Sequence, residues 1–333
     1  MNDPKKHHFL PVFYLMSWTS ANGKLVEFST PFDEEVKPRR THPSGTGYID
    51  KLYAIEGLPG EISYAVFCLK KSPVDSKAAT ALKELMSGRV ASSQVRAAWS
   101  HFIMTLLMRM PVEIQIIKEI VKKIETTASD SLLNFVIRHS PSEFHAEAKK
   151  AFDEIKSSII SRSIDHITKI MSAKDIVDRI SNMEWDVIDL SASPHELLTS
   201  DRPILVEKND KMSGHTVIAL PIAPSKIFVA ATNHSLVNEL RNTNPKKIVH
   251  AANKDIVSRA NRLVYGKTDS QLPFIRKHFG RDRSPSFIED NALKTSQSAD
   301  DIALHFSSIY DSEMKKTFED ALKIRRMQNV TSL

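Results

Sequence analysis

Hydrophobic residues recur along the chain with two different spacings, which predict strands at both ends of a central run of helices. Residues 24–28 alternate between polar and apolar side chains after the turn signal Asn22-Gly23, a pattern typical of a strand. The segments 48–55 and 62–69 are apolar enough for strands or short buried helices. The segment 31–47 is rich in Pro, Gly and charge, which predicts a loop.

Helical spacing begins at Ser72, where Ser72-Pro73-Val74-Asp75 has the composition of a capping box. The helix predicted from there ends at Gly88. A second helix begins near Ser92 or Ser93 and ends or kinks at Pro111. Its apolar residues share one broad face, typical of a core-facing helix: Val95, Ala98, Trp99, Phe102, Ile103, Leu106, Leu107 and Met110. Further helical patterns cover 112–125, 131–138, a long stretch after Ser140, and a stretch that begins near Ser172.

Strand patterns return at Trp185, with four candidates at 185–190, 203–207, 216–220 and 226–230. A helix is predicted from Pro245 to Tyr265, and the stretch from Ser298 onward is amphipathic and helical. Strands and helices follow one another without βαβ alternation, which predicts an α+β fold. We expect a mixed or antiparallel sheet, built from the N-terminal and central strands around an inserted all-helical array.

This order predicts four segments along the chain. Residues 1–70 form N-terminal strands and loops that pair with 184–232, because so few strands cannot bury themselves alone. Residues 71–183 form the helical array, 184–283 form strands plus a basic helix, and 284–333 form a C-terminal helical segment.

Composition narrows the class of protein further. No apolar run approaches the roughly 20 residues of a membrane span, so no membrane partner is expected. The apolar stretch 9–16 is short and contains Pro11, unlike a signal peptide. The single cysteine, Cys68, fits a reducing cytoplasm. With 9 glycines in 333 residues and no G-x-G-x-x-G or G-x-S-x-G, the chain lacks the glycine loops that cradle phosphates.

Positive charge is concentrated in residues 241–283, which carry eleven Lys or Arg against three Asp, a net charge of +8 in a chain of +6. One interpretation is a surface for nucleic acid or another anionic ligand, to which Lys254 and Arg262 contribute. The other is an ordinary solvated helix face followed by a basic loop. No recognition helix, zinc finger or aromatic RNA-binding motif decides between them.

Five polar residues outside ordinary surface patterns are candidates for chemistry. The adjacent His7 and His8 can supply a base or cap neighbouring carbonyls. Arg109 can hold an anion or pair with an internal carboxylate. Asp201 can act as a base or close an Asx-turn. Asn253 can contact a ligand, although a buried structural role fits its helix position better. No residue spacing predicts a metal site, and nothing identifies a cofactor or a reaction.

The chain resembles a large, mostly bacterial family known as domain of unknown function 4238. The likeness is carried by the N-terminal motif His7-His8-Phe9-Leu10-Pro11-Val12-Phe13-Tyr14-Leu15, by Arg109-Met110-Pro111, and by Thr199-Ser200-Asp201-Arg202-Pro203 after a strand led by Trp185. Leu220 to Pro224 and the helix from Asn253 to Tyr265 are also similar. Met16 stands where the family usually has Arg, which weakens an anion-binding role at that corner. The resemblance implies no reaction, but it places His, Arg and Asp at separated points that a fold joining both chain ends can bring into one cleft.

These observations give two functional hypotheses. The first is a His7, His8, Arg109 and Asp201 site, with Asn253 beside it, that binds a phosphate-bearing or other anionic ligand and stabilises negative charge. The alternative is a non-catalytic interaction or nucleic-acid-binding protein, such as a bacterial defence or toxin-like effector, that uses the basic 241–283 region.

Overall fold

The computed structural model describes residues 6–31, 35–54, 74–88, 91–119, 122, 138, 174–209 and 215–282. The chain divides into two compact units. The first comprises Met1–Leu52, Lys71–Pro111 and Ser172–Ser284, and the second comprises Tyr53–Lys70, Val112–Met171 and Pro285–Leu333. In the second unit, residues 112–119 are helical. The helices predicted at 131–138 and after Ser140, the C-terminal segment 284–333, Cys68 and the Ser72 cap lie outside the described residues, apart from helical Arg138.

The first unit contains ten strands and seven α-helices among its described residues. The strands are β1 (Lys6–His8), β2 (Leu25–Ser29), β3 (Lys37–Thr41), β4 (Tyr48–Asp50), β5 (Glu184–Asp189), β6 (Thr199–Ser200), β7 (Leu205–Asn209), β8 (His215–Ala223), β9 (Lys226–Ala231) and β10 (Val264–Gly266). The helices are α1 (Val12–Leu15), α2 (Val74–Met86), α3 (Ser93–Met108), α4 (Lys174–Asn182), α5 (His234–Asn242), α6 (Pro245–Ser258) and α7 (Leu272–His278).

All strand pairs are antiparallel, which confirms the α+β class, and the strands are distributed over three sheets. Strands β1 and β4 form a two-stranded sheet. The junction sheet has the order β3-β2-β10-β6, and the meander sheet has the order β5-β9-β8-β7. N-terminal β2 pairs directly with β10, and β10 pairs with β6, so residues 199–200 share a sheet with the N-terminus through one intervening strand.

The meander sheet lies between helices on both faces. Phe228 meets Trp99 of α3 and Trp185 of β5 on one face, with ring centroids 5.8 and 4.9 Å apart. The neighbouring Ile227 and Val229 belong to the core formed with α6 on the other face. Because side chains alternate along a strand, β9 supports α3 with one set and α6 with the other. Most of the apolar face predicted for α3 is buried, with only Ala98 and Leu107 partly exposed. The Ser92 side chain caps the helix by accepting the Val95 N–H at 3.3 Å.

Two elements differ from their sequence predictions. The predicted loop 31–47 contains the edge strand β3, where Pro38 is tolerated because an edge residue can face solvent without a ladder bond. The helix predicted to reach Tyr265 ends at Ser258, and the chain re-enters the junction sheet as β10. Residues 261–263 direct their N–H groups to a side chain instead of continuing the helix. Within the described residues, no helix has both the length and the apolar character that a membrane crossing requires.

Candidate functional site

Arg109 is a buried cation at the end of α3, with only 2 % of its side chain exposed. It is the C-cap residue, and its backbone N–H donates to the Thr105 carbonyl. Its guanidinium lies 5.5 Å from the centre of the Phe102 ring, and Nη1 donates to Asp75 at 3.1 Å. Nε and Nη2 are buried and have no hydrogen-bond partner among the described residues. Arg109 therefore keeps a pair of unused charged donors inside the protein.

Asp75, in the first turn of α2, connects Arg109 to the N-terminal histidines. Its side chain is 50 % exposed, and it also acts electrostatically on the His8 imidazole. The sequence placed Asp75 only in a capping box. The signal in the sequence was an acidic residue and a basic residue on neighbouring helices. The two can be paired only once the packing of α2 against α3 is known. One carboxylate thus interacts with both His8 and Arg109, electrostatically with the first and by a hydrogen bond with the second.

His7 and His8 lie on β1, which pairs with β4, and they differ in exposure. His7 is buried, whereas His8 is half-buried with its ring 5.4 Å from that of Tyr48. Burial and the charge of Lys6 lower the pKa of His8 below its ordinary value of 6.5, while hydrogen bonding to Thr46 and the charge of Asp75 act in the opposite direction. His8 is therefore mainly neutral at pH 7.

Asp201 does not bind Arg109 or Asp75. Residues 261–263 occupy both of its carboxylate oxygens. Oδ1 accepts the N–H of Asn261 at 2.9 Å, and Oδ2 accepts those of Arg262 and Leu263 at 2.7 and 3.1 Å. Burial raises the pKa of Asp201 to about 6, against the lowering effect of the three N–H groups. These contacts give Asp201 a structural role, but the N–H groups come from residues about 60 positions later in the chain and not from a local Asx-turn.

Asn253 has the same kind of role on α6. Its Oδ1 accepts the Leu198 N–H at 2.8 Å, and its Nδ2 donates to the Glu196 carbonyl at 2.9 Å and to Gln271 at 3.1 Å. The side chain is 1 % exposed. The Asn253 side chain therefore gives the segment before β6 the backbone hydrogen bonds that a neighbouring strand would otherwise make.

The separated sequence motifs do meet, through aromatic residues that were not selected as candidates. The Tyr14 hydroxyl lies 2.7 Å from the Thr199 hydroxyl and donates to the Pro221 carbonyl at 2.8 Å. The Trp18 indole donates to the Leu197 carbonyl at 3.1 Å. Burial raises the pKa of Tyr14 far above its usual range, so the phenol stays protonated as a donor. The bond between Tyr14 and Thr199 therefore joins the N-terminal motif directly to the 199–203 motif.

A second buried polar cluster was not found from the sequence. Glu27 is held by the Arg39 guanidinium, whose Nε and Nη2 donate to Oε1 and Oε2 at 3.1 Å each, and it also accepts the Thr46 hydroxyl. Thr46 in turn lies 3.0 Å from the Tyr265 hydroxyl. These residues come from positions 27, 39, 46 and 265, so no local spacing marks them.

The basic region contains both paired and unpaired cations. Arg241, Lys267 and Arg276 pair with Asp186, Glu196 and Glu35 at 2.8, 3.7 and 3.1 Å. Seven others have no ion pair among the described residues: Lys246, Lys247, Lys254, Arg259, Arg262, Lys277 and Arg281. Lys254 and Arg262 are exposed, as their sequence positions predict.

Aromatic and imidazole rings lie among these cations. The Phe274 ring on α7 is 5.7 Å from His250 of α6 and 4.7 Å from His278. Desolvation and the charges of Lys277, Lys254, Arg281 and His250 lower the pKa of His278. Together these residues form the ring patch: His250, Lys254, Phe274, Lys277, His278 and Arg281. In the described part of the chain, no group of three or more His, Cys, Asp or Glu side chains can hold a metal ion.

The fold and these contacts define a class of α+β protein in which an N-terminal His-His motif is joined, through Tyr14, to a Thr-Ser-Asp motif at a sheet junction. The chain belongs to the family described as "Protein of unknown function (DUF4238)", which matches residues 6–270. The resemblance inferred from the sequence is therefore confirmed. No curated protein and no solved structure matches the chain.

Proposed function

We propose that the protein binds a phosphate-bearing or other oxyanionic ligand at Arg109, beside Asp75 and His8. The observation that carries the proposal is the buried guanidinium whose Nε and Nη2 lack acceptors among the described residues. These two nitrogens form the edge of the guanidinium that grips two oxygens of one anion. The same edge of Arg39 holds both oxygens of Glu27 in this protein.

The energetics favour a ligand at this edge. A buried charged donor without a partner loses its hydration and gains no replacement, which costs on the order of 1–3 kcal/mol for each group. Asp75, which is half-exposed, accepts only from Nη1. The desolvation cost of Nε and Nη2 therefore remains. An oxyanion removes that cost and adds charge-assisted hydrogen bonds.

The proposal is tested by thermal unfolding and calorimetry of the full chain with inorganic phosphate. We expect phosphate to raise the Tm of the wild type. At 100 times Kd, bound phosphate adds about 2.7 kcal/mol to the free energy of unfolding. Arg109→Lys keeps the charge but removes the two-nitrogen edge, and we expect it to weaken binding strongly. Arg241→Lys makes the same charge-conserving substitution at an exposed arginine paired with Asp186 and serves as the matched control. Equal phosphate binding by the wild type and Arg109→Lys contradicts the proposal.

A second candidate function, binding of single-stranded nucleic acid by the ring patch, is supported by a separate observation. The partly buried Phe274 ring packs beside two imidazoles, and Lys254, Lys277 and Arg281 supply nearby positive charge. Aromatic rings stack on bases while cations track the phosphate backbone.

Fluorescence polarisation with labelled single strands at several salt concentrations tests this second function. We expect log K to fall linearly with log salt, and Lys254→Gln with Lys277→Gln to reduce the slope by about 1.4 if each contacts one phosphate. The double control Lys24→Gln with Lys83→Gln removes the same charge from exposed sites outside the region. A salt-independent signal, or an equal effect of the control, rejects nucleic acid as the partner.

A further inference from the structure

Helices α5 and α6 leave a groove of about 520 Å³ against one face of the meander sheet. Its floor is apolar and includes Leu205, Val217 and Val229, and Leu240 and Ile248 line its helical side. Leu205, Val217, Leu240 and Ile248 are only partly buried, although they pack on the core. The groove therefore exposes apolar surface in a concave place, and its volume falls within the roughly 300–1,000 Å³ of small-molecule sites.

The groove lining carries charges of both signs. Glu207 lies on the β7 side, and the other charged residues lie on α6 and its C-cap, where Asp255 interacts electrostatically with Arg259. Lys247, Ala251, Asp255 and Arg259 follow at intervals of four residues along α6 and its C-cap, so they share the helix face that lines the groove. Arg259 is half-buried, and its Nε is buried without a hydrogen-bond partner among the described residues. Lys247, at the other end of this row, is exposed and can be hydrated. The buried donor thus lies at the Arg259 end, next to apolar floor.

We propose that this groove binds a small amphipathic anion, with its oxyanion head on Arg259 and its apolar chain on the floor of the meander sheet. The head group satisfies the Nε donor, and the chain covers the partly buried side chains of β7, β8 and α5. A carboxylate and a phosphate share this chemistry as head groups. The site uses none of the residues at Arg109, so the inference is independent of the proposed function.

Calorimetry with full-length protein tests the inference, using dodecanoate, dodecyl phosphate, dodecanol and inorganic phosphate below the micellar range. We expect both anionic amphiphiles to bind with one-to-one stoichiometry, and dodecanol to bind at least about tenfold more weakly, since a charged hydrogen bond contributes about that factor. The tighter of the two anions identifies the head group. Inorganic phosphate is expected not to compete with either, because it lacks the chain.

Variants locate the binding. Arg259→Gln is expected to remove the preference for anionic amphiphiles over dodecanol, and Arg259→Lys to restore part of it. Ala251→Phe, at an exposed helix position that lines the groove, is expected to weaken all three chain ligands at least about tenfold by filling the space. Lys246→Gln, on the same helix but outside the lining, controls for charge.

Three results overturn the inference: dodecanol binding as tightly as the anions, an unchanged preference in Arg259→Gln, or unchanged affinity in Ala251→Phe. Failure of the Arg109 proposal is distinguishable, because Arg109→Lys is expected to leave amphiphile binding intact. If Arg109→Lys abolishes it instead, the amphiphiles bind at Arg109 and the groove assignment is wrong.

Discussion

Single side chains replace backbone partners at the junction sheet, and Asp201 makes the most such bonds. Its carboxylate satisfies three consecutive N–H groups that would otherwise be buried without acceptors. We expect Asp201→Ala to lower the free energy of unfolding by about 3–5 kcal/mol, and Asp201→Asn by less because one oxygen remains. Urea unfolding measures this difference. Asp189→Ala, which loses a local turn contact at an exposed position, is expected to cost under about 1 kcal/mol. An equal cost for both sites contradicts the clamp role.

Asp201 also makes stability depend on pH. Its carboxyl has a pKa of about 6 when folded, above the 3.8 of an ordinary aspartate. The folded protein therefore holds more protons than the unfolded chain between these values, so this group's contribution to stability falls as pH rises from about 4 to 6. The full difference is about 3 kcal/mol, and it is already lost at pH 7. Unfolding free energies measured at pH 4, 5, 6 and 7 should show this decline in the wild type and lack it in Asp201→Asn. An identical pH profile in both contradicts the assignment.

At the scale of elements, the corner between β1 and α1 packs against Gly47, a position that leaves little room for a side chain. The Gly47 carbonyl accepts the Phe9 and Leu10 N–H groups, and its φ of +66° is one that other residues rarely adopt. A Cβ added there meets Leu10 and Leu15 atoms at 3.2–3.3 Å. Gly23 has a similar φ of +71° but open space around it.

We therefore expect Gly47→Ala to destabilise the protein more than Gly23→Ala. The common backbone penalty is about 1–2 kcal/mol, and crowding adds about 1–3 kcal/mol at Gly47 only. Thermal or urea unfolding of both variants measures the difference, and circular dichroism checks that each remains folded. Equal destabilisation would mean that Leu10 and Leu15 move aside without cost.

Element prediction from the sequence succeeds where a local pattern decides the structure and fails where a distant side chain does. The amphipathic face of α3 and the alternation in β2 are local, and both elements form as predicted. The end of α6 depends on Asp201, some 60 residues earlier, so the apolar spacing up to Tyr265 is misleading. β3 has exposed, charged residues and a proline, and only its pairing with β2 makes it a strand.

At the scale of the whole molecule, the sequence identified polar residues that the fold uses, but not that they divide between the junction sheet and the Arg109 group. Asp201 and Asn253 each support the junction sheet. A buried structural role was the alternative stated for Asn253, whereas Asp201 binds residues 261–263 instead of closing a local Asx-turn. Arg109 was selected for its unusual position beside a core face, whereas Asp75 was missed because a first-turn acid is ordinary in a helix. Tyr14 and Tyr265 join segments about 200 residues apart through hydroxyl groups. No spacing along the chain encodes contacts of that kind.

Positive charge is concentrated along the chain, because residues 241–283 carry +8 and the chain as a whole carries +6. In the ring patch, His278 is surrounded by Lys277, Lys254, Arg281 and His250, which lower its pKa together with desolvation. A bound polyanion reverses the sign of that local field and raises the pKa of His278, so binding takes up a proton.

Polyanion binding by the ring patch is therefore expected to strengthen as the pH falls through the range in which His278 takes up its proton, by at most about tenfold per pH unit for one proton. Polarisation titrations with a labelled single strand between pH 5 and 8, at constant ionic strength, measure the slope. His278→Gln should flatten it, while His234→Gln, an exposed histidine on α5, should leave it unchanged. If the slope survives in His278→Gln, another group takes up the proton. If no slope exists in the wild type, the anion does not contact His278, and the phosphates lie on the outer cations alone.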